Sequence, residues 1–132
     1  MRARVGVVIA AILASSGCGG DTTGPPEPTP GALTVSLSAP PGVTTGAVVL
    51  TITGPEAITN ATGPAEGHQV YSRADGAGMK VGVFGTIVPG PLVRFDVPDT
   101  RNVDEYAAAI SEIAGTDNTL KSLTGYTLRI SD

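Results

Sequence analysis

Met79-Lys-Val-Gly-Val-Phe-Gly-Thr-Ile-Val-Pro-Gly-Pro-Leu-Val-Arg-Phe-Asp-Val97 is the stretch whose reading decides the fold. Met79, Val81, Val83, Gly85 and Ile87 alternate with Lys80, Gly82, Phe84, Thr86 and Val88. A period of two marks a strand with one buried and one open face. Pro89-Gly90 supplies the residues a type II turn favours, and the returning run sets Val93, Phe95 and Val97 against Leu92, Arg94 and Asp96. The expectation is a β-hairpin, with Gly82 and Gly85 marking a bulge or a close backbone approach.

The same period recurs on both sides. Leu33, Val35 and Leu37 alternate with Thr34, Ser36 and Ser38 until Pro40-Pro41-Gly42, where two residues cannot donate to a ladder. Val48, Leu50 and Ile52 share one face of Ala47 to Thr53, and Gly54-Pro55 stops that run. Glu56 to Gly67 reads as a loop with a short strand near Ile58. Gln69 to Arg73 reads as a strand with Val70 or Tyr71 inward, followed by a tight turn at Asp75-Gly76-Ala77-Gly78. Tyr126, Leu128 and Ile130 make a last strand. About six or seven short strands in the roughly 100 residues from Ala32 to Asp132 predict an all-β domain, a single antiparallel β-sandwich with one core. With no Trp, two Phe and three Tyr in the chain, that core falls to Val, Leu, Ile and Ala.

Asn102 to Gly115 supports two readings. Val103, Ala107, Ile110 and Ala114 fall at helical spacing, with Asn102 as a cap, Asp104 and Glu105 in the first turn and Gly115 as a stop. A strand from Tyr106 to Ala114 is the other reading, favoured by a resemblance. Tyr106 to Ala114, then Thr116-Asp-Asn118, then Gly125-Tyr-Thr-Leu-Arg-Ile130 resembles the closing strands of cohesin-like or immunoglobulin-like β-sandwich domains. Cohesins bind dockerin modules through a sheet face. No recognition residue matches here, so that partner does not carry over.

The start of the chain addresses it. Arg2 and Arg4 precede an unbroken apolar run, Val5 to Ala14, then Ser15-Ser16-Gly17 and the single cysteine, Cys18. Ten helical residues cover about 15 Å, half a bilayer's hydrocarbon thickness. Residues 1–17 therefore read as a signal peptide. Leu13-Ala14-Ser15-Ser16-Gly17-Cys18 resembles a bacterial lipobox, which implies diacylation of the Cys18 thiol (a palmitate-type modification), cleavage before Cys18, and a lipoprotein anchored to the cell membrane or outer membrane. Lipidation also explains a lone cysteine in an exported chain, which has no partner for an internal disulfide; an intermolecular disulfide or cleavage after Cys18 are the alternatives. Gly19 after the cysteine is similar to the pattern sorted onward to an outer membrane. Residues 18–31 follow as a tether of Gly, Pro, Thr and acidic residues with no large apolar side chain, expected to be flexible and disordered.

Charge and motifs narrow the function. Without Arg2 and Arg4, six Lys and Arg face twelve Asp and Glu. The absence of a basic patch argues against nucleic acid, whose phosphates dominate binding. His68 is the only histidine, so neither a zinc set nor a nucleophile pair can be assembled around it. No nucleophile elbow, phosphate-cradling loop or His-Glu-x-x-His is present. Asp96, Asp99, Asn102, Asp104 and Glu105 are the one acidic cluster; Asp99, Asn102, Asp104 and Glu105 are calcium candidates and a carboxylate pair there is the one candidate for acid-base work, both set against plain turn formation and capping. Asn60-Ala61-Thr62 matches a glycosylation acceptor, a pattern short enough to arise often by chance, and aromatics for sugar stacking are nearly absent, with Tyr71 and Tyr106 the only candidates. The expectation is a non-enzymatic envelope module without cofactor that binds a protein or a glycan, or else spaces and assembles larger complexes.

Overall fold

In the computed structural model, residues 24–63 and 68–132 are described, and the alternating runs pair into two antiparallel four-stranded sheets. The expected leader, Cys18 and the first residues of the tether lie outside the described residues. In chain order the strands are β1 Gly31–Ser38, β2 Thr45–Thr53, β3 Thr59–Thr62, β4 His68–Asp75, β5 Gly78–Ile87, β6 Gly90–Val97, β7 Ala107–Ala114 and β8 Thr127–Ser131. One sheet has the order β3-β6-β1-β8 and the other β4-β5-β2-β7. The domain is thus an all-β sandwich, with slightly more strands than expected.

The inward positions are those the alternation assigns. Leu33, Val35 and Leu37 from β1, Val48, Leu50 and Ile52 from β2, and Met79, Val81, Val83 and Ile87 from β5 are buried in one cluster with Phe95 and Ile113. Phe95 is the largest fully buried side chain. Burying an aliphatic or aromatic side chain contributes on the order of 2 kcal/mol before entropy is subtracted, so stability is spread over many modest contacts.

The hairpin between Met79 and Val97 is not formed. β5 pairs with β2 and β4, whereas β6 pairs with β1 and β3 in the other sheet. The reason lies in the turn residues. Tight hairpins use turns with positive φ at the first central position, which proline's fixed φ forbids, and a type II turn splays the flanking strands. Val88-Pro89-Gly90-Pro91 therefore carries the chain from one sheet to the other, with Gly90 at φ 129°. Leu92 also departs from its expected outward position. Val35 pairs with Val93 and Ser36 with Pro91, so Leu92 is the extra residue of a bulge and joins Val93 in the core.

Asn102 to Gly115 resolves as a strand preceded by a 3-10 turn. Thr100–Glu105 forms that turn, capped by Asp99 and not by Asn102, and β7 follows. Val49 pairs with Glu112 and Leu50 with Ile110, so Ser111 is extra and the inward set becomes Ala108, Ile110 and Ile113. That bulge breaks the period of two, which is why the segment imitates a helix. The framework also reaches back into the expected tether: Gly31 already belongs to β1, and the Thr100 amide donates to the Thr29 carbonyl at 2.8 Å.

Candidate functional site

The outer face of β4 and β5 carries aromatic residues that folding leaves in solvent. Alternation along β4 sends Val70 toward the core and Tyr71 outward, and along β5 it sends Phe84 outward while Val83 is buried. Tyr71 is 62% exposed and Phe84 40%, yet their rings meet edge to face with centroids 5.8 Å apart. Tyr71 pairs across the ladder with Gly82, and a side chain on Gly82 would press into the Phe84 ring, with Cε2 only 2.9 Å from a Cβ placed there. The missing side chain lets Phe84 lie over the sheet and reach Tyr71. The Tyr71 hydroxyl donates to Gln69 Oε1 at 3.4 Å, a long bond at the rim.

Arg73 and Lys80 sit directly opposite each other one rung along the same face. Together with Tyr71, Ser72, Gly82 and Phe84 they line a shallow, open depression of about 230 Å³. Enclosed ligand sites run from roughly 300 to 1,000 Å³. This one offers a shelf for part of a larger ligand.

The acidic cluster is arranged differently from a metal cage. Asp99 is buried, and its oxygens are filled by donors: Oδ1 accepts from the Thr29 amide at 3.2 Å, the Arg101 amide at 3.1 Å and Arg101 Nε at 2.9 Å, and Oδ2 accepts from Arg101 Nη2 at 2.8 Å. The Arg101 side chain, with help from the Thr29 and Arg101 amides, holds the Asp99 carboxyl well below the usual carboxylate range. Arg101 Nη2 also donates to the Pro26 carbonyl at 3.1 Å, so this carboxylate ties the end of the tether to the 3-10 turn. Asn102 lies within the turn, Asp104 and Glu105 are exposed at its end, and Asp96 accepts from Asn60 Nδ2 at 2.9 Å. Among the described residues, no three His, Cys, Asp or Glu side chains are grouped to hold a metal ion.

The remaining sequence candidates separate. Tyr106 is 6% exposed and packs its ring 6.1 Å from that of Phe95, so it is a core residue and unavailable for stacking on a sugar. Burial, with Glu56, Asp99 and Glu105 nearby, pushes its phenol pKa up. Asn60 lies on β3 with its amide nitrogen engaged by Asp96. His68 opens β4, and its Nε2–H donates to the Thr86 carbonyl at 3.0 Å across the ladder. Sequence reasoning singled out Tyr71 but missed Phe84, Arg73 and Lys80. Their signal was present: an aromatic and a lysine on the outward phase of an otherwise well-patterned strand. No family model matches the chain, and the searches of curated proteins and of solved structures found no match either.

Proposed function

We propose that this protein is a membrane-anchored cell-envelope lipoprotein, exported by residues 1–17 and fastened by acyl chains on Cys18, whose sandwich binds a glycan or protein without catalysing a reaction. The observation that carries the binding reading is the exposed Tyr71–Phe84 pair, held on two paired strands of one sheet. Two large rings kept in solvent lose the stabilisation that burial would supply, and a rigid backbone under them favours recognition over flexible packing. The anchor reading is supported by the charged start, the short apolar run, the lipobox-like residues and the single cysteine. The cohesin-like resemblance is supported only by the pattern of β7, a polar loop and β8, and brings no dockerin partner with it.

Retention on isolated cell-envelope material tests the binding. The Tyr71→Ala, Phe84→Ala double variant is expected to be retained at least tenfold less than the wild type, a loss on the order of 1.4 kcal/mol. Unchanged retention would return the structural spacer as the better account. Radioactive palmitate tests the anchor, since Cys18→Ser is expected to abolish both labelling and membrane association. A Cys18→Ser chain that stays acylated would remove that half of the proposal.

A further inference from the structure

We propose that the Tyr71–Phe84 shelf and the Arg73–Lys80 pair together form a site for an acidic polysaccharide, a linear glycan carrying carboxylates. The inference rests on reading this sheet face as a binding face and adds the chemistry of its ligand. Arg73 and Lys80 are direct cross-strand partners, and like charges in that relation repel. They stand together on a chain of formal net charge −4, where the average environment of a cation is acidic. The ion pairs formed among the described residues, Arg101 with Asp99 and Lys121 with Asp117, include neither of them. A carboxylate placed between the two relieves the repulsion and takes charge-assisted hydrogen bonds from both.

The rest of the ligand follows from the neighbours. Residues two apart on a strand are about 7 Å apart, so the cations lie one step from the aromatic shelf on the same face. A sugar ring offers a flat C–H face to an aromatic ring while its carboxylate reaches sideways. A uronic acid unit therefore satisfies both halves of the site at once. An acidic peptide would satisfy the cations, but its carboxylates hang on flexible stems without a flat face for Tyr71 and Phe84. The depression is open and shallow, and β4 is the edge of its sheet, so a polymer can cross β5 and β4 and continue past the edge.

Titration calorimetry on the full-length chain in neutral detergent at low salt, with three probes, tests this. The probes are tetragalacturonate, its fully methyl-esterified form and tetraglutamate. Tetragalacturonate is expected to bind on the order of tenfold more tightly than its ester. Arg73→Gln and Lys80→Gln should each weaken the acid form by a similar factor and leave the ester unchanged, and Tyr71→Ala should weaken both. Equal affinity for acid and ester would overturn the acidic assignment while the binding face itself stood. Tetraglutamate binding as tightly as tetragalacturonate would overturn it in favour of an acidic peptide. Failure of all three probes to bind would overturn the inference, and the envelope-retention experiment would then judge the binding face independently.

Discussion

The two sheets are alike inside and different outside. Each turns aliphatic residues into the shared core, but β1 and β6 show solvent Thr34, Ser36, Arg94 and Asp96, while β4 and β5 show Tyr71, Phe84, Arg73 and Lys80. Hydroxyls and mixed charges are what an outer face needs for solubility. Exposed rings beside opposed cations are not needed for folding, and the proposal of a binding face rests on that contrast.

The contrast can be broken or sharpened by substitution. Phe95→Ala, in the core shared by both sheets, is expected to cost about 3–5 kcal/mol in denaturant unfolding because the cavity collapses only in part. Gly90→Val, at the crossing between sheets, forces a branched side chain to φ 129° and is expected to cost about 1–3 kcal/mol, read in the same way.

Asp99→Asn comes next and depends on pH. The folded carboxyl titrates below its unfolded value, so its contribution is complete above about pH 4 and is lost as pH falls toward the folded value. The variant should melt below the wild type at neutral pH, with the gap closing as the medium is acidified. Equal gaps at pH 7 and at strongly acidic pH would show that the Arg101 pair contributes nothing.

Lys80→Glu turns the opposed cations into a complementary pair and is expected to raise stability by roughly 0.2–1 kcal/mol while abolishing the proposed acidic-glycan binding. Tyr71→Ala should shift unfolding by no more than about 0.5 kcal/mol, since an exposed ring contributes little to the core. A loss as large as that of Phe95→Ala would place Tyr71 among the structural residues and erase the difference between the two outer faces.

Much of the fold was legible because alternation is local. Leu33, Val35 and Leu37, or Val48, Leu50 and Ile52, declare their inner face within a few residues. Bulges defeat that rule: Ser111 and Leu92 each add one residue, and the inward set beyond it changes phase. The proposed binding face was half legible. Tyr71 and Phe84 both lie in readable strands and Gly82 signals a close approach, but only the folded ladder shows that the gap it leaves lets one ring reach the other.

Sequence alone determined the period of two, the breakers, the export-like start and the single histidine and single cysteine. Only the tertiary structure decided that β5 and β6 part into different sheets, that Tyr106 is core and Tyr71 is not, that Asp99 reaches seventy residues back to Thr29, and that Arg73 faces Lys80. The physical reason is that side-chain phase along a strand is a property of neighbouring residues, whereas strand partners and sheet membership depend on how distant segments bury their apolar faces together.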